Sequence, residues 1–204
     1  MEDSRRPIRA RSASWAYTIT RKLVDKGITP NQISLSSICF ALAGAAALMI
    51  DNGAVASVFC IICIQLRLLC NLFDGMVAIE GGKGTPTGIL YNEFPDRIAD
   101  SLLLVALGIS TGHPGLGWFA ALAAALTAYV RVFGGASGLP QSFIGPMAKQ
   151  HRMAVMTAGL AINAFESIAY GTHSAMLLAL AVIAFGSVAT CITRATGIAK
   201  ALDR

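Results

Sequence analysis

The sequence predicts an all-α integral membrane protein: six transmembrane helices preceded by a juxtamembrane amphipathic helix, with both termini cytoplasmic. Three observations carry that prediction. Hydrophobic residues make up 55% of the 204-residue chain against 13% charged, with a mean hydropathy of +0.63, a balance foreign to a soluble domain. The apolar residues gather in six runs, near 33–50, 54–73, 98–112, 117–134, 153–169 and 174–193, on the scale of bilayer-spanning helices. With the N-terminus inside, all 16 Lys and Arg residues fall in cytoplasmic segments or cytoplasmic half-spans, and the opposite loops around Asp51, His113 and Glu166 carry none. That asymmetry is the positive-inside pattern.

Each element has its own justification. Residues 1–30 read as a cytoplasmic basic tail and interfacial helix, and 31–204 as a six-helix membrane domain. Arg5, Arg6, Arg9 and Arg11 lie in a tail suited to an anionic membrane surface. This Arg-rich stretch has no short apolar core with a cleavage site, so no signal peptide is expected. From 14 to 26, Trp15, Ile19 and Leu23 recur at helical spacing opposite Arg21, Lys22, Asp25 and Lys26, which predicts an amphipathic helix at the headgroup level. Gly27 ends it. Thr29 is placed to cap the next helix, with Pro30 at its first position. The third run is short, as expected where the first turns of a helix face a polar cavity. The five cysteines, Cys39, Cys60, Cys63, Cys70 and Cys191, fall in apolar runs and read as small packing residues. His113, His151 and His173 show no ligand spacing and read as surface residues. Gly81-Gly82-Lys83-Gly84 lacks the spacing and strand-to-helix context of a phosphate loop and reads as a flexible connection. No internal repeat, nucleic-acid motif or Ser-His-Asp arrangement is present.

The polar exception is the stretch 71–100, which holds Asn71, Asp74, Glu80, Asn92, Glu93, Asp96 and Asp100. Carboxylates at membrane depth are costly unless they line a wet cavity, pair with cations or bind metal. Asn71 and Asp74 share one helix face, and Gly88, Asn92, Asp96 and Asp100 form a stripe at intervals of four, with Glu93 beside it. Two helix ends would thus present oxygens to one centre, a hard donor set suited to Mg²⁺, Mn²⁺ or Ca²⁺.

Asn71-x2-Asp74-Gly75-x2-Ala78, followed by Gly88-x3-Asn92-x3-Asp96, resembles the signature of the CDP-alcohol phosphotransferase (phosphatidyltransferase) family, Asp-x2-Asp-Gly-x2-Ala-Arg-x8-Gly-x3-Asp-x3-Asp. The spacing matches without gap or insertion. Asn71 and Asn92 replace the first and third Asp, and Ile79 replaces Arg. The resemblance implies attack of an alcohol on the β-phosphorus of a CDP-linked lipid, CDP-diacylglycerol foremost, with release of CMP in phospholipid biosynthesis. It implies a divalent cofactor, Mg²⁺ or Mn²⁺, and a homodimer in the membrane. Asp74 would be the principal metal ligand, and Asp96 would take the acceptor proton. Gly75, Ala78 and Gly88 would let the nucleotide approach, and Asn31, in a Thr-Pro-Asn that the family shares, would touch the cytidine. Arg131, Lys149 and Arg152 stand at positions where the family turns cations toward phosphate.

The four motif positions carry two negative charges here where the family pattern carries four. Glu93, on the same stripe, is expected to join Asp74 and Asp96 as a metal ligand, with Asn71 and Asn92 as neutral donors, and Asp100 is a further source of charge. Arg67, two turns before Asp74, either neutralises Asp74 or a neighbouring carboxylate or extends outward. Two other readings compete with the transferase: a non-catalytic relative that binds nucleotide, lipid or a partner protein, and a small transporter. The second lacks repeated halves or paired broken helices.

Overall fold

A computed structural model of the protein describes residues 13–203; the Arg5–Arg11 tail of the sequence reading lies outside them. The described chain is helical throughout: α1 (Ser14–Asp25), α2 (Pro30–Ile50), α3 (Ala54–Ile79), α4 (Gly88–Ser110), α5 (Pro114–Ala136), α6 (Lys149–Ala169) and α7 (Ser174–Leu202). α2, α3, α5 and α7 are long and apolar enough to cross a membrane. α4 and α6 have 23 and 21 residues, or about 35 and 32 Å at 1.5 Å per residue. Their charged residues keep them out of that class by composition. The exterior is apolar: Ile50, Val55, Trp118, Leu178 and Phe185 all face outward, an arrangement that only lipid accommodates over so wide a surface. The protein is an integral membrane protein.

Helix packing closes a ring, α2–α4–α5–α7–α6–α3 and back to α2. α4 and α6 are therefore full members of the bundle. Small residues set the close approaches. A Cβ on Gly108 of α4 would lie 2.6 Å from Gly117 Cα of α5, and one on Gly159 of α6 would lie 2.5 Å from Ala179 Cβ of α7. Leu103, Leu104, Met153, Met156, Leu180 and Ile183 fill the centre. α1 lies against α3, with Ala16 and Thr20 buried and Trp15 edge-on to Phe73 at 6.1 Å.

Several boundaries differ from the sequence reading. The predicted third run began at 98, whereas α4 begins at Gly88. Its first ten residues are too polar for an apolar run but remain helical because the polar positions fall on one face. α3 extends past 73 to Ile79 and α7 past 193 to Leu202. Thr29 caps α2 as expected: its Oγ1 accepts from Gln32 N at 3.3 Å, and Gln32 Oε1 accepts from Thr29 N at 2.9 Å, a reciprocal capping box.

The 81–84 connection is tied down. Lys83 Nζ donates to Val24 O at 2.8 Å, and a Cβ on Gly81 would meet Val77 O at 2.5 Å. All five cysteines are free, with Cys60 and Cys63 buried in the core. His113 and His151 are exposed, but His173 is half-buried, its Nδ1 3.0 Å from Asn163 Oδ1.

Candidate active site

The charged residues that the sequence places on separate helices meet near the C-terminal end of α3, the first half of α4 and the N-terminal end of α6. Asp74 of α3 is buried, and its Oδ2 accepts from Ser34 Oγ of α2 at 2.7 Å. Asp96 of α4 is buried within reach of three cations. Lys149 Nζ of α6 contacts Oδ2, Arg97 Nη2 lies 3.6 Å from that same oxygen, and Arg67 Nη2 lies 3.7 Å from Oδ1. One turn along α4, Asp100 accepts from Arg67 Nη2 at 2.5 Å and from Arg152 Nη2 at 2.8 Å. Three carboxylates thus face four cations, which leaves this cluster one positive charge, suited to an anionic substrate. Pro95, inside α4, leaves the Tyr91 carbonyl without its helical donor just before Asp96.

Arg67 settles its alternatives. It pairs with Asp100 across the bundle, not with Asp74. Asp74 lies seven residues further along Arg67's own helix, about 10 Å along the axis. The side chain is fully buried, and it also donates to Asp96 O at 3.3 Å and to Met153 Sδ at 3.0 Å.

Arg152 continues the network, donating to Met147 O at 2.9 Å and to Thr127 Oγ1 at 3.2 Å. Beyond Thr127 stands Arg194 of α7, buried, its Nη1 donating to Thr127 O at 2.6 Å and its Nε to Ile144 O at 2.8 Å. Arg131 of α5 lies to one side, with Nη2 2.6 Å from Glu93 Oε1, Nη1 on Gln141 Oε1, and its guanidinium 5.1 Å from the Phe143 ring centre.

The sequence-predicted residues divide accordingly. Asp96, Lys149 and Arg152 are joined through Arg67 and Asp100, and Asp74 lies near enough to feel Asp96 and Lys149. Glu93, expected beside the metal ligands, has its carboxylate taken up by Arg131. Asp100 is enclosed by two arginines and has no free edge for an ion. Asn71 lies one turn before Asp74 and is half-buried, while Asn92 is exposed on the second turn of α4. Gly75 and Ala78 are half-buried beside Asp74, and Gly88 is open, a Cβ there meeting only Thr85 Oγ1 at 3.7 Å. Asn31 is half-buried one turn from Ser34 on α2. Ser34, Arg97 and Arg194 were not foreseen.

The unsatisfied atoms of the site suit a divalent ion. Asp74 Oδ1, Asp96 Oδ1 and Asn71 Nδ2 are buried and have no hydrogen-bond partner of normal geometry; the Gly75 amide lies close to Asp74. Buried oxygens without donors are costly and mark a place for a cation. At Asn71 a half-turn of the amide presents its oxygen instead of the nitrogen. Among the described residues no three His, Cys, Asp or Glu side chains are grouped to hold a metal, as follows when positions 71 and 92 are Asn. Two carboxylates with neutral amide donors still fit Mg²⁺ or Mn²⁺.

No protein-family model matches the chain. Among proteins of known function, it is 30% identical over 132 residues to the archaetidylinositol phosphate synthase of Aeropyrum pernix, spanning 63% of this chain and 68% of that one. The chain belongs to the CDP-alcohol phosphotransferase family. A second relative in that family is the phosphatidylinositol phosphate synthase of Mycobacterium marinum, 26% identical over 197 residues, 92% of this chain and 82% of that one. The fold of this phosphotransferase is shared with crystal structures of the Mycobacterium tuberculosis phosphatidylinositol phosphate synthase. With CDP-DAG bound, that protein superposes at a TM-score of 0.77 and 21% identity, covering 91% of this chain and 94% of that one. With manganese and citrate it gives 0.76 and 22%, covering 90% and 88%.

Proposed function

We propose that the protein transfers the phosphatidyl group of a CDP-linked lipid, CDP-diacylglycerol, to a hydroxyl of a phosphorylated polyol of the inositol phosphate type, releasing CMP. The reaction site faces the cytoplasm, in a bundle that crosses the membrane six times with both termini inside. The observation that carries this reading is the meeting of Asp74 and Asp96, each with a buried oxygen that lacks a hydrogen bond of normal geometry, beside a buried arginine and lysine network.

The acceptor oxygen attacks the β-phosphorus, the bond from that phosphorus to CMP breaks, and the acceptor proton passes to Asp96. Lys149 and Arg97 lie on the Oδ2 side of Asp96 and Arg67 Nη2 stands 3.7 Å from Oδ1, so the carboxylate is held in place among cations as it takes the acceptor proton. A divalent ion, Mg²⁺ or Mn²⁺, held by Asp74 and Asp96 with Asn71 and Asn92 as neutral donors, would draw charge from the pyrophosphate and stabilise the departing CMP. Ser34 donates to Asp74 Oδ2, so Oδ1 is the oxygen that would be offered to an ion. Gly75, Ala78 and Gly88 leave room for the nucleotide, with Asn31 at its edge.

An acceptor phosphate is a dianion and calls for several planar, bidentate donors. Arg131, Arg152 and Arg194 are the candidates, each engaged in the free chain by protein acceptors that the phosphate would displace, and Lys149 contacts Asp96. The names of the two relatives above, an archaetidylinositol phosphate synthase and a phosphatidylinositol phosphate synthase, favour the same acceptor class. The helical contacts of α4 and α6 on both sides support six spans, since their charged faces turn into the ring and their lengths suffice. A homodimer is part of this reading by family membership.

The test is product formation by purified protein in CDP-diacylglycerol vesicles with Mn²⁺, comparing inositol phosphate, glycerol phosphate and unphosphorylated inositol. Incorporation of the phosphorylated polyols alone is expected. Equal use of unphosphorylated inositol would contradict the acceptor assignment.

A further inference from the structure

We propose that this centre binds one divalent cation per chain, and that the Lys149 ammonium supplies the charge a second ion would bring. The inference rests on the phosphotransferase reading for its ligand, but on this chain's own residues for its count.

Four carboxylates at positions 71, 74, 92 and 96 would balance two dications. Here Asn stands at 71 and 92, so two carboxylates remain. The other acids of the stripe are committed elsewhere: Asp100 to Arg67 and Arg152, Glu93 to Arg131. No third acidic ligand is grouped with the pair among the described residues.

A cation of the protein already sits where charge is missing. Lys149 is the first residue of α6, and its Nζ contacts Asp96 Oδ2. Arg67 and Arg97 stand on either side of the same carboxylate at 3.7 and 3.6 Å. One dication added to the three carboxylates and four cations of the cluster leaves three positive charges, an excess that the substrate pyrophosphate offsets. A second would stand against the first ion, Lys149 and two arginines in a poorly solvated site, where like charges repel strongly. The buried oxygens fit one ion as well: among the described residues Asp74 Oδ1 and Asp96 Oδ1 are the buried carboxylate atoms without a hydrogen bond of normal geometry, with Arg67 Nη2 3.7 Å from the second.

The experiment is a Mn²⁺ titration of the full chain in lipid nanodiscs with CDP present, followed by electron paramagnetic resonance of free Mn²⁺ and by calorimetry. One Mn²⁺ per chain is expected. Lys149→Met is expected to bind it at least roughly tenfold more tightly, since a competing unit charge is removed, and Lys149→Arg is expected to retain wild-type affinity. Asn71→Asp combined with Asn92→Asp is expected to gain a second ion, seen as spin–spin broadening between neighbouring Mn²⁺. Two ions or none in the wild type, or unchanged affinity in Lys149→Met, would overturn the inference. CMP release measured on the same samples separates the two ideas. One bound ion without any turnover would count against the transferase reading while leaving the ion count standing.

Discussion

Replacing Asp100 with Asn removes the one carboxylate shared by two buried arginines. Arg67 is fully buried and Arg152 is 1% exposed, with contacts to Asp100 of 2.5 and 2.8 Å. At an effective dielectric constant near 20, each contact represents a gross attraction of roughly 6–7 kcal/mol, much of it offset by desolvation of the charges. Removing the shared partner strands two guanidiniums in place, and one-sided removal of a buried charge costs about 3–5 kcal/mol. For a chain of this length each kcal/mol moves the melting temperature by about 2–4 °C, so Asp100→Asn should lower it by roughly 6–20 °C. The assay is thermal unfolding of the detergent-solubilised protein, wild type beside mutant. Asp100→Leu combined with Arg67→Met should recover about half of the loss, because it removes one of the two stranded guanidiniums and leaves Arg152 unpaired. A melting temperature within about 2 °C of wild type for Asp100→Asn would refute the claim that this triad holds α3, α4 and α6 together.

Other consequences are smaller or local. Glu93→Gln releases Arg131 from an ion pair whose Glu side chain is 28% exposed. It should change the acceptor KM several-fold with kcat within about twofold, whereas a collapse of kcat would place Glu93 with the metal after all. Asn163 is fully buried and donates to Asn52 O and Ser57 Oγ, both at 2.8 Å, while facing His173. Asn163→Ala strands those groups at the end of the bundle opposite the charged cluster and should cost about 1–3 kcal/mol, read from thermal unfolding with turnover per folded molecule unchanged.

The sequence revealed most of the helices and the polar stripe, because both are periodic within one segment. The Asn92–Asp96–Asp100 spacing needs only the helical repeat to be recognised as a face. It cannot say which cation meets which carboxylate, since those partners come from other helices. Arg67 therefore had several possible partners on paper and two in the folded chain, Asp100 and, more distantly, Asp96. The same limit placed Glu93 with the metal ligands: its position on α4 was read correctly, but Arg131 on α5 was not visible from there.

The start of α4 was missed for a related reason. Apolar runs locate the lipid-facing length of a helix, and the residues from Gly88 to Arg97 turn their charges into the ring. Arg194 went unnoticed beyond the last apolar run. The available signal was Thr190, one turn earlier on the same face of α7 and also buried.

The measurement that bears most directly on the whole account is CMP release from CDP-diacylglycerol by the purified protein with an inositol phosphate acceptor. It is made with and without Mn²⁺ and with Asp74→Ala alongside. Turnover that needs the metal and disappears in Asp74→Ala, in protein that still unfolds cooperatively, is the predicted result. Release of CMP at equal rates by wild type and Asp74→Ala would contradict it, as would a wild type that binds the CDP-lipid and never releases CMP.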